Sequence, residues 1–410
     1  MKDIMLLTSE YPFGLKESYL SNEIYNCNCV NNLFIVPLFR ESKIKRNIVT
    51  DKAKIKVIEL ESTGLNILIK KFYLFISDKN IWNEIFYIFK SKKHIFKKIK
   101  KMIWFWNRSI EKYLQIEFYI RKNQIDLQQL VVYSYWMAEH AYIASKLKIK
   151  FKEIKAISRC HGYDLYEYRN EISYIPFRKQ IFENVDYIIP ISSDGYSYIT
   201  SKYRELNKNK VHTSFLGTKD YGCNLEYKND NLKIVSCSNL VDVKRVELII
   251  KALIDITEFE VEWIHYGDGP EKEKLIKLCN NLPMNISYKF FGQISNEEIM
   301  KEYATKKFDL FLNVSSSEGL PVSIMEAQSK GIVVIATDVG GTSEIINDGV
   351  NGFLLNRDFK VQDLSEILVR YKNLSCKHKI KMKKKAREIW SEKFDASNNY
   401  RGFYEWINKI

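Results

Sequence analysis

The sequence predicts an α/β protein built from two doubly wound, Rossmann-like domains. Short apolar runs typical of strands alternate with segments of helical periodicity along most of the 410 residues. Such alternation predicts parallel sheets joined by right-handed crossovers. The strand-like runs are too numerous for a single doubly wound sheet, and the length suits two domains of roughly 200 residues each.

Six strands are predicted in each half of the chain, each a short run of apolar and β-branched residues between turn residues. In the first half they are Ile4–Thr8, Leu33–Leu38, Leu130–Ser134, Ile154–Arg159, Tyr187–Ile191 and Val211–Phe215. In the second half they are Lys233–Ser238, Glu260–Gly267, Ile286–Gly292, Leu310–Val314, Ile332–Ala336 and Gly352–Leu355. The region between residues 40 and 125 is the least regular, and in it we predict helices at Asn66–Phe75 and Ile81–Lys101.

The domain boundary is predicted within residues 217–231, which are polar, rich in turn residues and without periodicity. The N-terminal domain is then 1–216 and the C-terminal domain 232–393. Residues 394–410 form a separate amphipathic helix, with Tyr400, Phe403 and Ile407 on one side.

The composition is that of a soluble globular protein, with 46% hydrophobic and 28% charged residues and a net charge of +14. The charge predicts an anionic partner. In Lys90–Arg108, lysines alternate with aromatic and aliphatic residues. This pattern suits either a helix at an anionic membrane surface or a solvated lysine face over a core stripe. No nucleic-acid-binding motif accompanies the charge, so nucleic acid is not expected as a partner.

Neither a signal peptide nor an apolar run long enough to span a bilayer is apparent, which predicts a cytoplasmic protein. The seven cysteines are scattered and fit reduced thiols. The chain has no Asp-x-Asp pair, and its six histidines do not form a zinc motif. We therefore expect no metal and no cofactor.

The most informative stretch follows the predicted strand in Asp309–Val314 (DLFLNV). Glu318 lies in the loop after this strand, and Glu326 lies in the next predicted helix, Val322–Lys330, which has Pro321 at its first turn. Free backbone N–H groups and the positive end of the helix dipole make such a helix start a seat for a diphosphate. A carboxylate on each side of that seat can accept hydrogen bonds from sugar hydroxyls.

Glu318-Gly-Leu-Pro with Glu326, followed by Asp-Val-Gly-Gly-Thr-Ser-Glu and Gly-Val-Asn-Gly-Phe-Leu, resembles the Glu-x7-Glu signature of retaining glycosyltransferases with the GT-B architecture, family four. The resemblance covers most of the C-terminal half and is weaker in the N-terminal half. It implies two Rossmann-like domains facing across a cleft, with a nucleotide-sugar donor held by the C-terminal domain. It also implies that the C-terminal helix 394–410 returns to the N-terminal domain.

The resemblance also assigns roles to residues. Glu318, His161 and Lys244 are the expected catalytic residues: Glu318 binds sugar hydroxyls, Lys244 stabilises the leaving phosphate, and His161, in a His-Gly-x-Asp segment, contacts the donor sugar. Glu326 is expected to bind the ribose. The other expected donor-binding residues are Arg245, Gly319, Leu320, Pro321, Val322, Ser323, Gly14 and Gln293. Asn239 stands where the family usually has an arginine, and Arg245 is expected to supply the second positive charge instead.

The resulting prediction is a metal-independent, retaining hexosyltransferase. Its expected acceptor is a lipid-linked oligosaccharide in bacterial surface polysaccharide biosynthesis (lipopolysaccharide or capsule), used at the inner membrane face. Three alternatives remain open from sequence: a soluble acceptor, a non-catalytic saccharide- or nucleotide-binding protein with the same fold, and an anion-binding scaffold that depends on the lysine face.

Overall fold

The computed structural model of the chain describes residues 1–14, 17, 19–48, 50, 53–60, 66–223, 225 and 231–410. Internal contacts divide these residues into two units. Unit 1 comprises Met1–Ser214 and Tyr400–Ile410, and unit 2 comprises Phe215–Asn399. The predicted linker, 217–231, thus begins inside unit 2, and several of its residues lie outside the described ones.

Unit 1 contains a six-stranded parallel sheet. Its strands are β1 (Asp3–Thr8), β2 (Asn32–Pro37), β3 (Lys54–Val57), β4 (Leu130–Ser134), β5 (Lys155–Cys160) and β6 (Tyr187–Pro190). Its helices are α1 (Leu20–Tyr25), α2 (Asn66–Ser77), α3 (Lys79–Lys90), α4 (Ile95–Lys122), α5 (Glu139–Lys150), α6 (Arg178–Asn184) and α7 (Ser193–Lys202). Short 3-10 turns occur at Glu167–Arg169 and Lys208–Lys210.

Unit 2 contains a second six-stranded parallel sheet. Its strands are β7 (Leu232–Cys237), β8 (Val261–Tyr266), β9 (Ile286–Gly292), β10 (Leu310–Asn313), β11 (Val333–Thr337) and β12 (Gly352–Leu355). Its helices are α8 (Val246–Ile254), α9 (Lys272–Cys279), α10 (Asn296–Lys306), α11 (Val322–Ser329), α12 (Thr342–Ile345), α13 (Val361–Lys372) and α14 (Cys376–Lys393). The last helix, α15 (Ala396–Ile407), begins in unit 2 and belongs to unit 1 from Tyr400 onward. A 3-10 turn, Asp242–Lys244, precedes α8.

Both sheets have the strand order of a Rossmann fold. The orders are β3-β2-β1-β4-β5-β6 and β12-β11-β10-β7-β8-β9. The chain direction across the sheet therefore reverses between β1 and β4 in unit 1, and between β7 and β10 in unit 2. Ligands of such folds bind in the crevice beyond the carboxyl ends of the strands at this switch point. A ligand-binding site is therefore expected in the loops after these four strands.

Alternating side chains of the strands supply the core on both faces of the sheet in unit 1. Met5 and Leu7 of β1 belong to one buried cluster, whereas Ile4 and Leu6 belong to another. The second cluster also contains Phe403, Tyr404 and Ile407 of α15, and Asn408 accepts a 2.7 Å hydrogen bond from the backbone N–H of Lys2. The C-terminal residues 400–410 are therefore part of the packing of unit 1.

Two of the predicted elements are wrong. Val211–Phe215 is not a strand: it donates backbone hydrogen bonds to Ile188 and Pro190 of β6 without forming a continuous ladder. The predicted helix Ile81–Lys101 is two helices, α3 and α4, because Lys92 and His94 adopt left-handed backbone angles between them (φ 53° and 52°). Strand β3 was not predicted, since two of its four residues are lysines.

The aromatic residues of Lys90–Arg108 do not share one face. Phe105 and Trp106 are buried in the core, while Phe96 and Trp104 are exposed. Across the part of the chain that the structure describes, every helix is too short or too polar to cross a membrane.

Candidate active site

The loops after β7 and β10 meet at the switch point of the unit 2 sheet. The first loop carries Lys244 in the 3-10 turn before α8, and the second carries Glu318 before α11. A backbone hydrogen bond of 2.8 Å from Ser316 N–H to the Val243 carbonyl joins the two loops. Two residues far apart in sequence are thereby held next to each other.

Glu318 accepts hydrogen bonds from two side chains. Lys244 Nζ lies 2.7 Å from Glu318 Oε1, and Asn313 Nδ2 lies 3.2 Å from the same oxygen. Both partners of the ion pair retain some exposure, 25% for the Lys244 side chain and 12% for that of Glu318. Sequence reasoning missed Asn313, the last residue of β10, because it stands inside an apolar run that reads only as a strand.

Gly340 fixes the backbone of the Glu318 loop. Its φ of +58° is left-handed, and a Cβ on it would lie 2.0 Å from the carbonyl oxygen of Glu318. The next residue, Gly341, donates its N–H to the Gly319 carbonyl at 2.7 Å. Only a residue without a side chain allows the approach of Gly340 to Glu318, which gives a physical reason for the glycine at position 340.

The start of α11 lies directly after Glu318, and we call the backbone of residues 319–323 the anion seat. The N-cap residue is Pro321, and its side chain does not cap the helix. The first intrahelical bonds run from Ile324 and Met325 to the Pro321 carbonyl. The N–H groups of Val322 and Ser323 therefore lack intrahelical acceptors, as at every helix start, and can bind an anion. Gly319 and Leu320 form the approach to the helix.

Glu326 is buried one turn into α11. Asn296 Nδ2, at the start of α10, donates to Glu326 Oε1 at 2.5 Å. Burial raises the pKa of Glu326 to about 7, and the Asn296 hydrogen bond opposes this rise. A buried carboxylate with one side-chain donor among the described residues has remaining capacity to accept hydrogen bonds from hydroxyl groups.

Arg245 holds the backbone of the loop that leads to Glu318. Its guanidinium donates to the carbonyls of Val314 and Ser315, at 2.8 and 3.3 Å, and to that of Arg357 at 2.8 Å. Burial lowers its pKa. These bonds give Arg245 a positioning role in the loop, and its predicted contact with a donor remains a prediction.

Asn239 and Gln293 are both exposed in loops at the same edge of the sheet, after β7 and β9. The Gly292 carbonyl beside Gln293 accepts the N–H of Gly267 at 2.9 Å. A Cβ on Gly267 would lie 1.9 Å from the Ser238 carbonyl oxygen, so the glycine in the Gly-Asp-Gly-Pro turn has a structural function.

In unit 1, His161 lies just after β5 in an aromatic surrounding. Its ring is 4.7 Å from that of Tyr135 and 4.5 Å from that of Trp136, centroid to centroid. Neither ring nitrogen makes a hydrogen bond to the described residues, although Nδ1 is 3.5 Å from Asp164 Oδ2. Burial alone would raise the pKa of Asp164, but the nearby His161 side chain and the backbone N–H groups of Met137 and His161 lower it below its ordinary value. The carboxylate thus positions a histidine whose ring can bind a ligand.

Gly14 lies in the loop after β1, with a left-handed φ of +62°. A Cβ there would be 2.8 Å from the Glu10 carboxylate. Its N–H donates to the Ile44 carbonyl, and Arg46 Nε donates to its carbonyl. Gly14 is therefore required for a tightly packed turn. Neighbouring residues 15, 16 and 18 lie outside the described residues.

Among the residues that the structure describes, no group of three or more histidine, cysteine, aspartate or glutamate side chains is arranged to hold a metal ion.

Comparisons relate this chain to known glycosyltransferases. Residues 224–389 match the family model of glycosyl transferases group 1. The uncharacterized glycosyltransferase MJ1178 of Methanocaldococcus jannaschii is 30% identical over 266 residues, which cover 64% of this chain and 71% of MJ1178. The chain covers 57% of the length of a second curated relative, to which it is 29% identical, and 60% of the length of a third, to which it is 26% identical.

Two solved structures share the fold over the whole of both chains. The lipopolysaccharide outer core galactosyltransferase WaaB aligns with a TM-score of 0.69 at 16% identity. Anabaena Alr3699/HepE, solved in complex with UDP, aligns with a TM-score of 0.65 at 14% identity. At these identities the likeness establishes the GT-B fold alone. Together with the family model and the archaeal relative, it leads to one assignment: the chain belongs to the glycosyl transferases group 1 family.

Proposed function

We propose that this protein is a retaining glycosyltransferase that moves a hexose from a nucleotide-sugar donor to a hydroxyl of a carbohydrate acceptor. One observation carries the proposal: Lys244 and Glu318 are in contact directly beside the anion seat of α11. A cation and helix N–H groups suit a diphosphate, and a carboxylate suits sugar hydroxyls. The three groups together match the two halves of a nucleotide sugar.

In this proposal the donor diphosphate binds the backbone N–H groups of residues 319, 320, 322 and 323, since Pro321 has none. Lys244 offsets the negative charge that grows on the leaving phosphate, and Glu318 accepts hydrogen bonds from the transferred sugar. Glu326 accepts hydrogen bonds from the ribose. Backbone groups around Gln293 hold the base. For unit 1 we propose that His161 and Gly14 contact the donor, as the family resemblance implies.

No side chain among these is placed as a nucleophile, so we propose a front-face displacement. The bond between the anomeric carbon and the donor phosphate oxygen breaks, and a bond to the acceptor oxygen forms on the same face. The proton of the acceptor hydroxyl passes to the leaving phosphate oxygen. Positioning and charge stabilisation then supply the rate enhancement, and we propose that the reaction requires no metal and no cofactor besides the donor.

Uridine diphosphate is the nucleotide we propose to test first, because HepE binds UDP and shares this fold. The likeness to WaaB supports an acceptor in bacterial surface polysaccharide synthesis.

A lipid-linked acceptor is supported by the surface of unit 1. Large side chains are exposed at helical spacing along one face of α2 and one face of α3. We call these residues the aromatic surface: Ile69, Phe72, Tyr73 and Ile76 of α2, and Trp82, Phe86 and Phe89 of α3. Phe72 and Phe86 are each 70% exposed. Exposed aromatics among lysines are typical of helices that lie in the interface of an anionic bilayer. We therefore propose a peripheral location on the inner face of the cell membrane.

The function is tested by measuring nucleotide release from UDP-, GDP- and ADP-sugars with the wild type and with Glu318→Ala. We expect slow hydrolysis of one donor, lost in the variant. Donor binding is measured in the same samples by ligand-observed NMR. Absence of both hydrolysis and binding for every donor would contradict the proposal and favour a non-catalytic protein with this fold.

A further inference from the structure

Glu326 is a buried carboxylate whose hydrogen bonding within the described residues depends on one amide. Asn296 Nδ2 lies 2.5 Å from Glu326 Oε1, and Glu326 is 8% exposed. A carboxylate this deeply buried ordinarily has a cation or several hydrogen-bond donors beside it. The loss of the Asn296 amide is therefore expected to affect Glu326 more than the loss of one bond at the surface would.

The titratable groups that face Glu326 are a thiol and two phenols. Cys237 ends β7, Tyr303 lies on α10, and Tyr221 lies before β7. Burial raises the pKa of each, and the negative charge of Glu326 raises it further. At neutral pH all three groups are therefore uncharged, and none of them compensates the carboxylate.

The lysine in this part of the site is already paired. Lys244 opposes the rise in the pKa of Cys237 that burial causes, but its Nζ lies 2.7 Å from Glu318 Oε1. Burial raises the pKa of Glu326 to about 7, and the Asn296 hydrogen bond opposes that rise. Asn296 is thus the side chain that favours the ionised form of Glu326.

The start of α10 holds Asn296 in place. Ser295 is the N-cap residue: its hydroxyl accepts the N–H of Glu298 at 3.3 Å, and the Glu298 carboxylate accepts the N–H of Ser295 at 2.9 Å. This capping box closes the first turn of the helix. Two residues separate Asn296 from Gln293, which lies in the loop proposed for the base. The same short segment therefore adjoins the proposed base site and contacts Glu326.

We propose that Asn296 is a positioning residue for the nucleoside: by fixing the Glu326 carboxylate, it gives the protein a preference for ribonucleotides over 2′-deoxyribonucleotides. This inference rests on the proposed function, in which Glu326 accepts hydrogen bonds from the ribose. A hydroxyl binds more strongly to an ionised carboxylate than to a neutral one. A 2′-deoxyribose lacks one of the two hydroxyl donors, so its binding depends less on the state of Glu326.

The test compares the binding of UDP, GDP and ADP with that of their 2′-deoxy forms, by calorimetric titration of the intact protein between about pH 6 and pH 9. The ratio of each pair of dissociation constants reports on the 2′-hydroxyl, because both nucleotides carry the same base and diphosphate. We expect the wild type to bind one ribonucleotide at least about tenfold more tightly than its 2′-deoxy form at pH 8. This preference should fall below about pH 7, where Glu326 gains a proton.

Asn296→Asp keeps the shape of the side chain, and an acidic residue is favoured in the first turn of a helix, so we expect this variant to fold. It replaces the donor with an acceptor and adds a negative charge that raises the pKa of Glu326 further. The preference at pH 8 should fall at least about fivefold. Asn281→Asp, the same substitution at an exposed position after α9, is the matched control and should behave as the wild type.

Asn296→Ala removes the donor without adding a charge. Its preference at pH 8 should fall at least about threefold, and it decides the question if Asn296→Asp does not fold. In both variants the pH below which the preference is lost should be higher than in the wild type, since Glu326 then needs a higher pH to ionise. A loss of local packing alone would not move this pH.

A double variant separates positioning from structural support. In Asn296→Asp with Glu326→Gln, the glutamine amide can donate to the new aspartate, so the contact is restored with donor and acceptor exchanged. We expect thermal stability to recover relative to Asn296→Asp, but not the ribonucleotide preference, because position 326 no longer carries a carboxylate. Recovery of the preference as well would overturn the proposal.

The remaining outcomes distinguish this inference from the proposed function. If a wild type that prefers the ribonucleotide is matched at every pH by the folded Asn296 variants, the role of Asn296 is overturned and the proposed function stands. A wild type that binds a nucleotide and its 2′-deoxy form equally well would overturn this inference and the ribose contact of Glu326. If none of the three nucleotides binds, the proposed function fails, and this inference fails with it.

Discussion

Lys244 Nζ lies 2.7 Å from Glu318 Oε1, a contact between residues 74 positions apart. The pair exists because β7 and β10 are neighbours in the sheet, and their following loops meet at the switch point. In the absence of a donor the two charges compensate each other. A bound donor would give each a different partner, the phosphate for Lys244 and the sugar hydroxyls for Glu318.

Lys244→Ala and Glu318→Ala are each expected to reduce sugar transfer at least about 100-fold, since each removes a charge that acts in the transition state. Because both side chains retain some exposure, the free energy of unfolding should fall by only about 1 kcal/mol. Turnover and chemical denaturation of the same preparations measure the two effects. Lys251→Ala, an exposed lysine on α8, is the control. The double variant should lose less than the product of the single effects. Near-normal turnover in either single variant would remove that residue from the proposed mechanism.

Gly340→Ala is expected to impair both stability and transfer. The added Cβ would lie 2.0 Å from the Glu318 carbonyl oxygen, so the loop that carries Glu318 must shift. We expect a loss of about 2–4 kcal/mol in the free energy of unfolding and a fall in turnover. Gly349→Ala is the matched control: φ there is +71°, also left-handed, but no atom lies within 4 Å of the added Cβ. It should cost only about 1 kcal/mol. Equal effects of the two substitutions would show that backbone conformation, and not the approach to Glu318, sets the requirement.

Glu326→Gln is expected to stabilise the protein at alkaline pH. Burial raises the pKa of Glu326 from 4.5 to about 7, so the folded state binds this proton more tightly than the unfolded state does. The stability of the wild type should therefore fall as pH rises from about 4.5 to about 7 and then stay level. Glutamine removes this penalty and keeps an acceptor for Asn296. The gain should approach about 2–3 kcal/mol at pH 8 and vanish near pH 4.

The same variant should bind the donor more weakly at pH 8, because a neutral amide accepts hydrogen bonds from hydroxyls less strongly than a carboxylate. Thermal unfolding across pH and donor titration provide the two readouts. Glu297→Gln, an exposed neighbour in α10, should change neither. A gain in stability that does not vary with pH would contradict the assignment of the shifted pKa to Glu326.

Phe72→Ser combined with Phe86→Ser is expected to release the protein from anionic vesicles. Each phenylalanine that enters the bilayer interface contributes about 1.5–3 kcal/mol, so the partition coefficient should fall at least tenfold. Co-sedimentation with phosphatidylglycerol vesicles measures this. Phe118→Ser is the control: the residue is 57% exposed on α4 and does not belong to the aromatic surface. If the wild type does not bind vesicles but dimerises through these side chains in analytical ultracentrifugation, the aromatic surface is a protein interface instead.

The sequence predicts well what depends on local pattern. Strand β10 is readable from its apolar run, and the start of α11 from Pro321 and the residues that follow. The prediction fails where a long-range contact or an unusual backbone conformation determines the structure. Lys92 and His94 break a helix that their residue types permit. Asn313 becomes a partner of Glu318 only through the turn of the loop between them.

Arg245 shows the same limit for the site. Its place beside Lys244 suggested a second cation for a phosphate, but the direction of its side chain depends on carbonyls from loops 69, 70 and 112 positions away. By contrast, the closeness of Lys244, Glu318 and the start of α11 was expected from the family resemblance. The observed strand order explains it, because loops after adjacent parallel strands meet at one edge of the sheet.

The position of residues 400–410 in unit 1 has a consequence for biosynthesis. Phe403, Tyr404 and Ile407 complete a core whose other members lie within the first 190 residues. Unit 2 is encoded between these two parts, so the ribosome makes all of it before unit 1 can close. Until then one face of the first sheet stays open and apolar, and a nascent chain in that state is a substrate for chaperones. Unit 2, which is continuous in sequence, has no such dependence and can fold as soon as it emerges.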